Sequence, residues 1–289
     1  MTVFLPCRHR WMVGWALLLS LSLVGCRVSV SVGDHPAEDP EDDSDAPHYQ
    51  PPLDVSWQLQ LQLQGTPQLD VAASLYELDL FDTSAQTITT LHSQHRKLLC
   101  YFSAGSLEEW RPDASRLPSE VLGAPLAGWP GEVWLDIRTS EVRELMRTRL
   151  QLARDKGCDG VDPDNVDGYL QNSGFALNAA DQLDYNRFLA REAHALGLTI
   201  ALKNDLLQIP ALVSSFDLAI NEQCHAYQEC QLLTPFVQAG KPVLNIEYDE
   251  RFMVDASSQQ QLCDEAAQLG LQTQVLTPAL DGTVRLRCF

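Results

Sequence analysis

The segment from Cys158 to Tyr169 holds the densest group of side chains that could do chemistry. An apolar run ends there in three acids and one amide within six residues: Asp162, Asp164, Asn165 and Asp167. Carboxylates this close repel one another and lose hydration when buried. Parallel α/β folds place such groups where strands end, because those ends converge on one face.

Polar or aromatic side chains also end the other predicted strands, which indicates a basin for a polar ligand. We expect contacts with that ligand from Asp79, Tyr101, Ser103, Asp136, Asn165, Lys203, Asn204, Glu247 and Tyr248. Three aromatic residues lie in loops after strands: Trp110, Trp129 and Tyr169. They could stack on sugar rings, and the tryptophans could instead pack inside their loops.

Two carboxylates across such a basin suit cleavage of a glycosidic bond, in which one protonates the leaving oxygen and the other attacks or stabilises the anomeric carbon. The candidates are Asp162 or Asp164 after the fourth strand and Glu222 after the sixth, with Glu247 as a third. Metal binding is the rival use of these acids. However, Val166 stands where an EF-hand needs its third ligand, and no His pair at metal spacing accompanies the acids. The sequence therefore predicts no metal and no cofactor.

Alternating strands and helices must position these groups. The predicted strands are 73–81, 98–103, 132–137, 160–163, 198–203, 217–222, 243–247 and 272–276. The predicted helices are 84–95, 140–155, 181–196, 208–214, 234–239 and 257–269. Eight strands with helical connectors over residues 55–289 predict a (β/α)8 TIM barrel. The strand-like run 57–63 is either an extra strand, as counted here, or the first barrel strand.

The N-terminal residues are typical of a targeting segment. Arg8 and Arg10 precede a short apolar run, and small residues precede Cys26, as in a bacterial lipoprotein signal over residues 1–25 with lipidation of Cys26. An ordinary signal peptide and a secreted protein are the alternative. Residues 26–54 are acidic and proline-rich, which predicts a disordered tether. We expect an exported monomer, anchored at the outer membrane or cell surface through its lipid alone.

The formal net charge of −19 disfavours nucleic acid as a partner and is compatible with a cationic ligand or with simple solubility. The exported context also predicts disulfides between the remaining cysteines. Short spacing pairs Cys224 with Cys230, and Cys263 could staple Cys288. Cys100 would then pair with Cys158.

Six stretches in order resemble glycoside hydrolase family 114, whose members are endo-α-1,4-polygalactosaminidases and related barrel proteins. They are 101–106 (YFSAGS), 128–136 (GWPGEVWLD), 157–169 (GCDGVDPDNVDGY), 202–205 (LKND), 221–224 (NEQC) and 247–248 (EY). The resemblance runs from about Trp57 to Tyr248.

The resemblance implies a TIM barrel that cleaves α-1,4-linked galactosamine polymers internally. It implies a nucleophile after the fourth strand, either Asp164 or Asp162, and Glu222 as acid/base. A galactosamine-rich polysaccharide would be cationic and suit the acidic chain. Two alternatives stay open: a surface lipoprotein that binds amino-sugar polymers without cutting them, and a hydrolase of another glycan.

Overall fold

The computed structural model describes residues 47–62 and 67–288. The predicted signal peptide, Cys26 and the predicted tether as far as residue 46 lie outside the described residues. Residues 47–54, assigned above to the end of the tether, contact the domain, and His48 Nε2 lies 3.0 Å from Asp217 Oδ1. Within the described part of the chain, the helices are all too short or too polar to cross a membrane.

Twelve strands form within the described residues. They are β1 (Trp57–Gln60), β2 (Leu75–Asp79), β3 (Lys97–Ser103), β4 (Ser106–Glu108), β5 (Leu122–Pro125), β6 (Glu132–Leu135), β7 (Gly160–Asp164), β8 (Thr199–Lys203), β9 (Leu218–Glu222), β10 (Val243–Glu247), β11 (Gln272–Leu276) and β12 (Val284–Arg287). Nine of them build the main sheet, in the order β1-β2-β3-β7-β8-β9-β10-β11-β12, and β4, β6 and β5 form a small antiparallel sheet.

The main sheet has eight parallel strands and the antiparallel β12, which pairs with β11. The sheet is curled, because β1, the first strand of the order, contacts β11, the last of the parallel strands. Trp57 Nε1 donates to the Gln272 carbonyl at 3.1 Å, and Gln274 Nε2 donates to the Trp57 carbonyl at 2.6 Å. This curled α/β arrangement is consistent with a TIM-like barrel.

Two strands differ from the sequence-based count. Trp57–Gln60 is the first strand of the main sheet rather than an extra one, because its buried side chains pair in parallel with β2. Glu132–Leu135, predicted as the third barrel strand, instead pairs antiparallel with β4 and β5. The two errors cancel, so the strand ending in Asp164 is still fourth and the strand ending in Glu222 is still sixth.

Eight α-helices connect the strands: α1 (Ala85–Ser93), α2 (Ser140–Lys156), α3 (Ala179–Ala195), α4 (Ile209–Leu212), α5 (Cys224–Tyr227), α6 (Thr234–Gln238), α7 (Arg251–Val254) and α8 (Ala256–Leu269), as far as the residues are described. Local chemistry sets the ends of the long helices. The Asn178 side chain and Asp181 form a capping box at the start of α3. Gly157, with a φ of 92°, ends α2 as the sequence predicts.

Apolar side chains fill the sheet interior near the strand starts and also the layer between strands and helices. The interior group includes Trp57, Leu59, Leu75, Leu99 and Leu218. All three predicted disulfides are confirmed, with Cα–Cα distances of 6.0 Å for Cys100–Cys158, 4.7 Å for Cys224–Cys230 and 4.8 Å for Cys263–Cys288. Because these apolar side chains fill the interior near the strand starts, the polar side chains lie at the carboxyl ends of the strands.

Candidate active site

The backbone turns sharply just after three neighbouring strands of the main sheet. Asn165, Asn204 and Gln223 follow β7, β8 and β9 and have φ values of 61°, 51° and 63°. This left-handed conformation is uncommon outside glycine and tends to cluster at functional sites. The turns leave Asp164, Lys203 and Glu222 as the last residues of their strands, with their side chains gathered at one point.

Lys203 is the centre of this group and is 3% exposed. Its Nζ lies 3.3 Å from Asp164 Oδ2, 3.5 Å from Glu222 Oε2 and 3.9 Å from Asp162 Oδ2. Burial alone would lower the pKa of Lys203, but the three carboxylates raise it well above its ordinary value. Lys203 is therefore a cation held between acids from two other strands.

The shared contact with Lys203 sets an upper limit on the distance between the carboxylate oxygens of Asp164 and Glu222. Because Asp164 Oδ2 and Glu222 Oε2 lie 3.3 and 3.5 Å from the same nitrogen, they can be no more than about 7 Å apart. Retaining glycosidases hold their two carboxyl groups about 5–5.5 Å apart and inverting ones about 6.5–9.5 Å apart. The pair therefore lies within reach of a single glycosidic bond.

Hydrogen bonds fix both carboxylates. Asp164 accepts from the Tyr101 hydroxyl at 3.1 Å and from the Asn165 amide at 2.7 Å. Glu222 accepts from the Tyr248 hydroxyl at 2.6 Å and from Asn204 Nδ2 at 3.2 Å.

The contacts of Glu222 with Lys203, Tyr248 and Asn204 also determine its pKa. Burial would raise the pKa of Glu222, but Lys203 and the hydrogen bonds from Tyr248 and Asn204 lower it below the ordinary value. In the free site Glu222 is therefore largely ionised at neutral pH.

A buried acid pair lies beneath this group. Asp162 is fully buried, and burial raises its pKa to about 7, against the opposing effect of Lys203. Glu77 on β2 is 1% exposed, and burial followed by the charge of Asp162 raises its pKa well above normal. Among the described residues, no hydrogen-bond partner is present for any oxygen of these two carboxyls. The nearby charge of Asp162 opposes ionisation of Glu77, so Glu77 is the member of the pair that carries a proton.

The small antiparallel sheet contributes further acids near the strand ends. Burial raises the pKa of Glu132 to about 7, although the Ser106 hydroxyl donates to it at 2.8 Å. Arg111 bridges Asp79 and Glu108, with its NH2 nitrogen 2.6 Å from an oxygen of each. This buried bridge sets the single charge of Arg111 against two carboxylates, and among the described residues no cation lies at bonding distance from Glu132.

These groups line a cavity of about 1100 Å³. Among the described residues of its lining, eight are acidic and two are basic, Arg111 and Lys203, both of which are already paired with acids. Trp110 and Trp129 also line it and are 54% and 51% exposed. The cavity is thus anionic, with two aromatic faces open to solvent.

Among the residues predicted to act on the substrate, eight line the cavity: Asp79, Tyr101, Asp164, Asn165, Lys203, Asn204, Glu222 and Tyr248. Asp79 lies there with its carboxylate committed to Arg111. The two candidate acids on the fourth strand differ in exposure. The Asp164 side chain is 17% exposed, whereas that of Asp162 is 0% exposed and cannot reach the cavity.

Four predicted substrate ligands lie outside the lining of the cavity, and one of them, Glu247, was also a catalytic candidate. Ser103 is buried under Asn165, whose Nδ2 donates to it at 3.0 Å, and Asp136 is held by Arg138. Glu247 is fully buried and accepts from the His225 amide, so it is also excluded as a third catalytic acid. Tyr169 lies beside Asp205 and away from the lining. The three polar residues were predicted because polar side chains at strand ends were assumed to face the same side, whereas Tyr169 was predicted because an aromatic ring in a loop after a strand could stack on a sugar.

Other lining residues were missed. Glu132 and Trp134 were assigned to a barrel strand, and Arg111 was not considered. The stretch of more than thirty residues between β3 and α2 was the available signal, because connections of that length usually carry function or structure of their own. Glu77 also gave a signal, since it shares one strand face with Leu75 and Asp79.

The arrangement can donate a proton to one side of a glycosidic bond and present an ionised carboxylate to the other. The fold and the paired acids thus define a carbohydrate-cleaving hydrolase. The model of the glycoside-hydrolase family GH114 matches residues 38–288. The chain belongs to glycoside-hydrolase family GH114 and is a glycoside hydrolase.

Solved structures support the assignment. The crystal structure of Ega3 from Aspergillus fumigatus in complex with galactosamine is 42% identical, with a TM-score of 0.78 over 83% of this chain and 97% of that one. The glycoside hydrolase domain of PelA from Pseudomonas aeruginosa is 17% identical, with a TM-score of 0.62 over 79% and 97%, and shows the shared fold. No curated protein matches the chain in sequence.

Proposed function

We propose that the protein cleaves α-1,4-linked galactosamine-containing polysaccharide internally. The observation that carries the proposal is the placing of Asp164 and Glu222 within 3.5 Å of one lysine nitrogen at the floor of an anionic cavity. The substrate class rests on the similarity to Ega3, which was crystallised with galactosamine. An excess of carboxylates attracts the ammonium groups of such a polymer.

Asp164 acts as the nucleophile and Glu222 as the acid and then the base. Asp164 is oriented by Tyr101, by the Asn165 amide and by Lys203, so its free lone pairs face the cavity. Asp164 attacks the anomeric carbon while Glu222 protonates the leaving oxygen, so the glycosidic bond breaks as a glycosyl–Asp164 ester forms. Water then attacks the same carbon, gives its proton to Glu222 and releases Asp164. This course retains the anomeric configuration and is compatible with the upper limit of about 7 Å.

The low pKa of Glu222 has a consequence for this role. Only a minor fraction of Glu222 carries the required proton at neutral pH, because Lys203 and Tyr248 stabilise the ionised form. Cleavage should therefore be faster at mildly acidic pH, as long as the nucleophile stays ionised.

The test is incubation of the purified protein with a galactosamine-rich exopolysaccharide, followed by mass spectrometry of the products. Oligosaccharides of several lengths should appear early, as expected for internal cleavage. Glu222→Gln and Asp164→Asn should release none, and proton NMR of the first product should show the α anomer. A parallel panel of α- and β-linked hexosamine polymers tests the substrate. If another polymer is cut and polygalactosamine is not, the proposed substrate class is rejected.

We also propose that the domain is a closed (β/α)8 barrel, monomeric, exported and anchored through a lipid on Cys26. The three disulfides support an oxidising location. Labelling of the protein with a fatty-acid analogue in a bacterial host tests the anchor. The wild type should be labelled and Cys26→Ser should not, and equal labelling of both would reject lipidation at this cysteine.

A further inference from the structure

Two histidines and an aspartate meet at the far end of β9 from the active site. Asp217 directly precedes β9, whose last residue is Glu222, so the two acids lie at opposite ends of one strand. His194 comes from the last turn of α3, and His48 comes from the segment before β1. None of the three takes part in the chemistry proposed above.

The three side chains converge closely. Asp217 Oδ1 lies 3.0 Å from His48 Nε2, and Oδ2 lies 2.9 Å from His194 Nε2. One ligand atom from each residue falls within 4.8 Å of the others. The side chains are 11%, 17% and 6% exposed for His48, His194 and Asp217, and the two imidazole rings stack at 4.5 Å.

Gln50 extends the group. Its amide nitrogen lies 2.6 Å from His48 Nε2 and 3.2 Å from Asp217 Oδ1. His48 Nε2 thus faces a donor and an acceptor, and it can satisfy only one of them in either tautomer. A half-turn of the Gln50 amide, which exchanges its oxygen and nitrogen, would direct its oxygen to the same point.

We propose that His48, His194 and Asp217, with the Gln50 amide oxygen as a fourth ligand, form a binding site for a divalent transition-metal ion such as zinc. Two imidazoles and a carboxylate are ligands that zinc prefers. Metal–ligand distances of about 2.0–2.2 Å place tetrahedral ligands roughly 3–4 Å apart, close to the spacings seen here. A cation between them also removes the conflict at His48 Nε2.

The electrostatics favour a cation at this point. Among the described residues, the cationic partners of Asp217 are the two histidines, and no lysine or arginine pairs with it. Lys241, which lies near Asp217, donates to the Val213 and Phe216 carbonyls instead of to this carboxylate. Lys241 therefore does not neutralise Asp217, and the carboxylate is available to bind a cation.

A metal ion at this site would link the segment before β1 to the rest of the domain. The backbone of the adjacent Tyr49 accepts a hydrogen bond from Thr199 Oγ1, and Lys97 Nζ lies 5.4 Å from the Tyr49 ring centre. His48 and Gln50 thus belong to one short segment, while His194 and Asp217 belong to the domain proper. Metal binding would lock the two together and add stability in proportion to metal concentration.

The experiment uses the full-length protein, purified without an affinity tag under non-reducing conditions. Titration with Zn²⁺ should give one equivalent bound at micromolar protein, and the thermal midpoint should rise with Zn²⁺ concentration. Co²⁺ should give the intense visible bands of a tetrahedral site. His48→Ala and His194→Ala should each weaken Zn²⁺ binding by at least about tenfold. His92→Ala is the matched control, because His92 pairs with Asp159 at 2.9 Å without a second histidine, and it should bind Zn²⁺ as the wild type does.

Two results would overturn the proposal. Absence of saturable Zn²⁺ or Co²⁺ binding by the wild type would mean that the group is only a hydrogen-bonded clamp, and this measurement needs no variant to fold. Unchanged binding by both His48→Ala and His194→Ala would place any bound metal elsewhere. Hydrolysis is a separate readout, because the site lies at the opposite end of β9 from Glu222.

Discussion

Replacing Tyr248 by phenylalanine should move the alkaline limb of the pH–rate profile to higher pH. The Tyr248 hydroxyl donates to Glu222 at 2.6 Å, and this bond is one of the contacts that lower the pKa of Glu222. A hydrogen bond to a charged group contributes about 1.5–3 kcal/mol. Since one pKa unit corresponds to about 1.4 kcal/mol, loss of the bond should raise the pKa of Glu222 by about one to two units.

The sign follows from the role of Glu222 as an acid. Activity requires its protonated form and falls as pH rises through its pKa, so a raised pKa extends activity to higher pH. The assay is kcat/KM for a soluble galactosamine oligomer across the pH range, which reports the free enzyme. Tyr101→Phe is the matched control, because that hydroxyl donates to Asp164 and not to Glu222. An alkaline limb that stays in place or moves to lower pH in Tyr248→Phe would refute the assignment of Glu222 as the acid.

Three further predictions concern the cavity and its floor. Asp164→Asn should abolish turnover, whereas Asp162→Asn should keep measurable turnover because Asp162 does not reach the cavity; equal loss in both, with folding intact by circular dichroism, would contradict this. Glu77→Gln should change the free energy of unfolding by less than about 1 kcal/mol, because an amide of the same shape replaces a protonated, neutral carboxyl; a larger change in urea titration would mean that Glu77 is ionised beside Asp162. Trp129→Ala should raise KM by about two- to tenfold, with the thermal midpoint unchanged, and an unchanged KM would exclude stacking there.

The sequence predicted where the strands end better than it predicted which strands pair with one another. Alternating apolar runs and helix caps were enough to place Asp164 and Glu222 at strand ends, but the fourth and sixth positions were right only because two errors in the strand count cancelled. The short run Glu132–Leu135 was misplaced because four apolar-rich residues fit a parallel or an antiparallel strand equally well. Only pairing partners far along the chain decide between the two.

The contacts that set the chemistry were not predictable for a related reason. Nothing local shows that Lys203 bonds with acids from two other strands, or that Glu77 and Asp162 form a buried acid pair. The sheet register determines these contacts, because a shift of one residue would turn each side chain to the opposite face. The pairing of Tyr101 with Asp162 and of Ser103 with Asp164 is what brings both acids into the interior face.

The position of Lys203 explains why so acidic a cavity can hold the carboxylates of Asp164 and Glu222, the proposed catalytic pair, close together. Without a cation, two acids this close would force one of them to bind a proton at neutral pH. Lys203 lies nearly equidistant from Asp164 and Glu222, at 3.3 and 3.5 Å, so neither acid alone neutralises it. Glu77, whose pKa burial and the charge of Asp162 raise well above normal, holds a proton lower in the group, where no substrate can reach it. In the proposed mechanism the proton for cleavage therefore comes to Glu222 from solvent and not from Glu77.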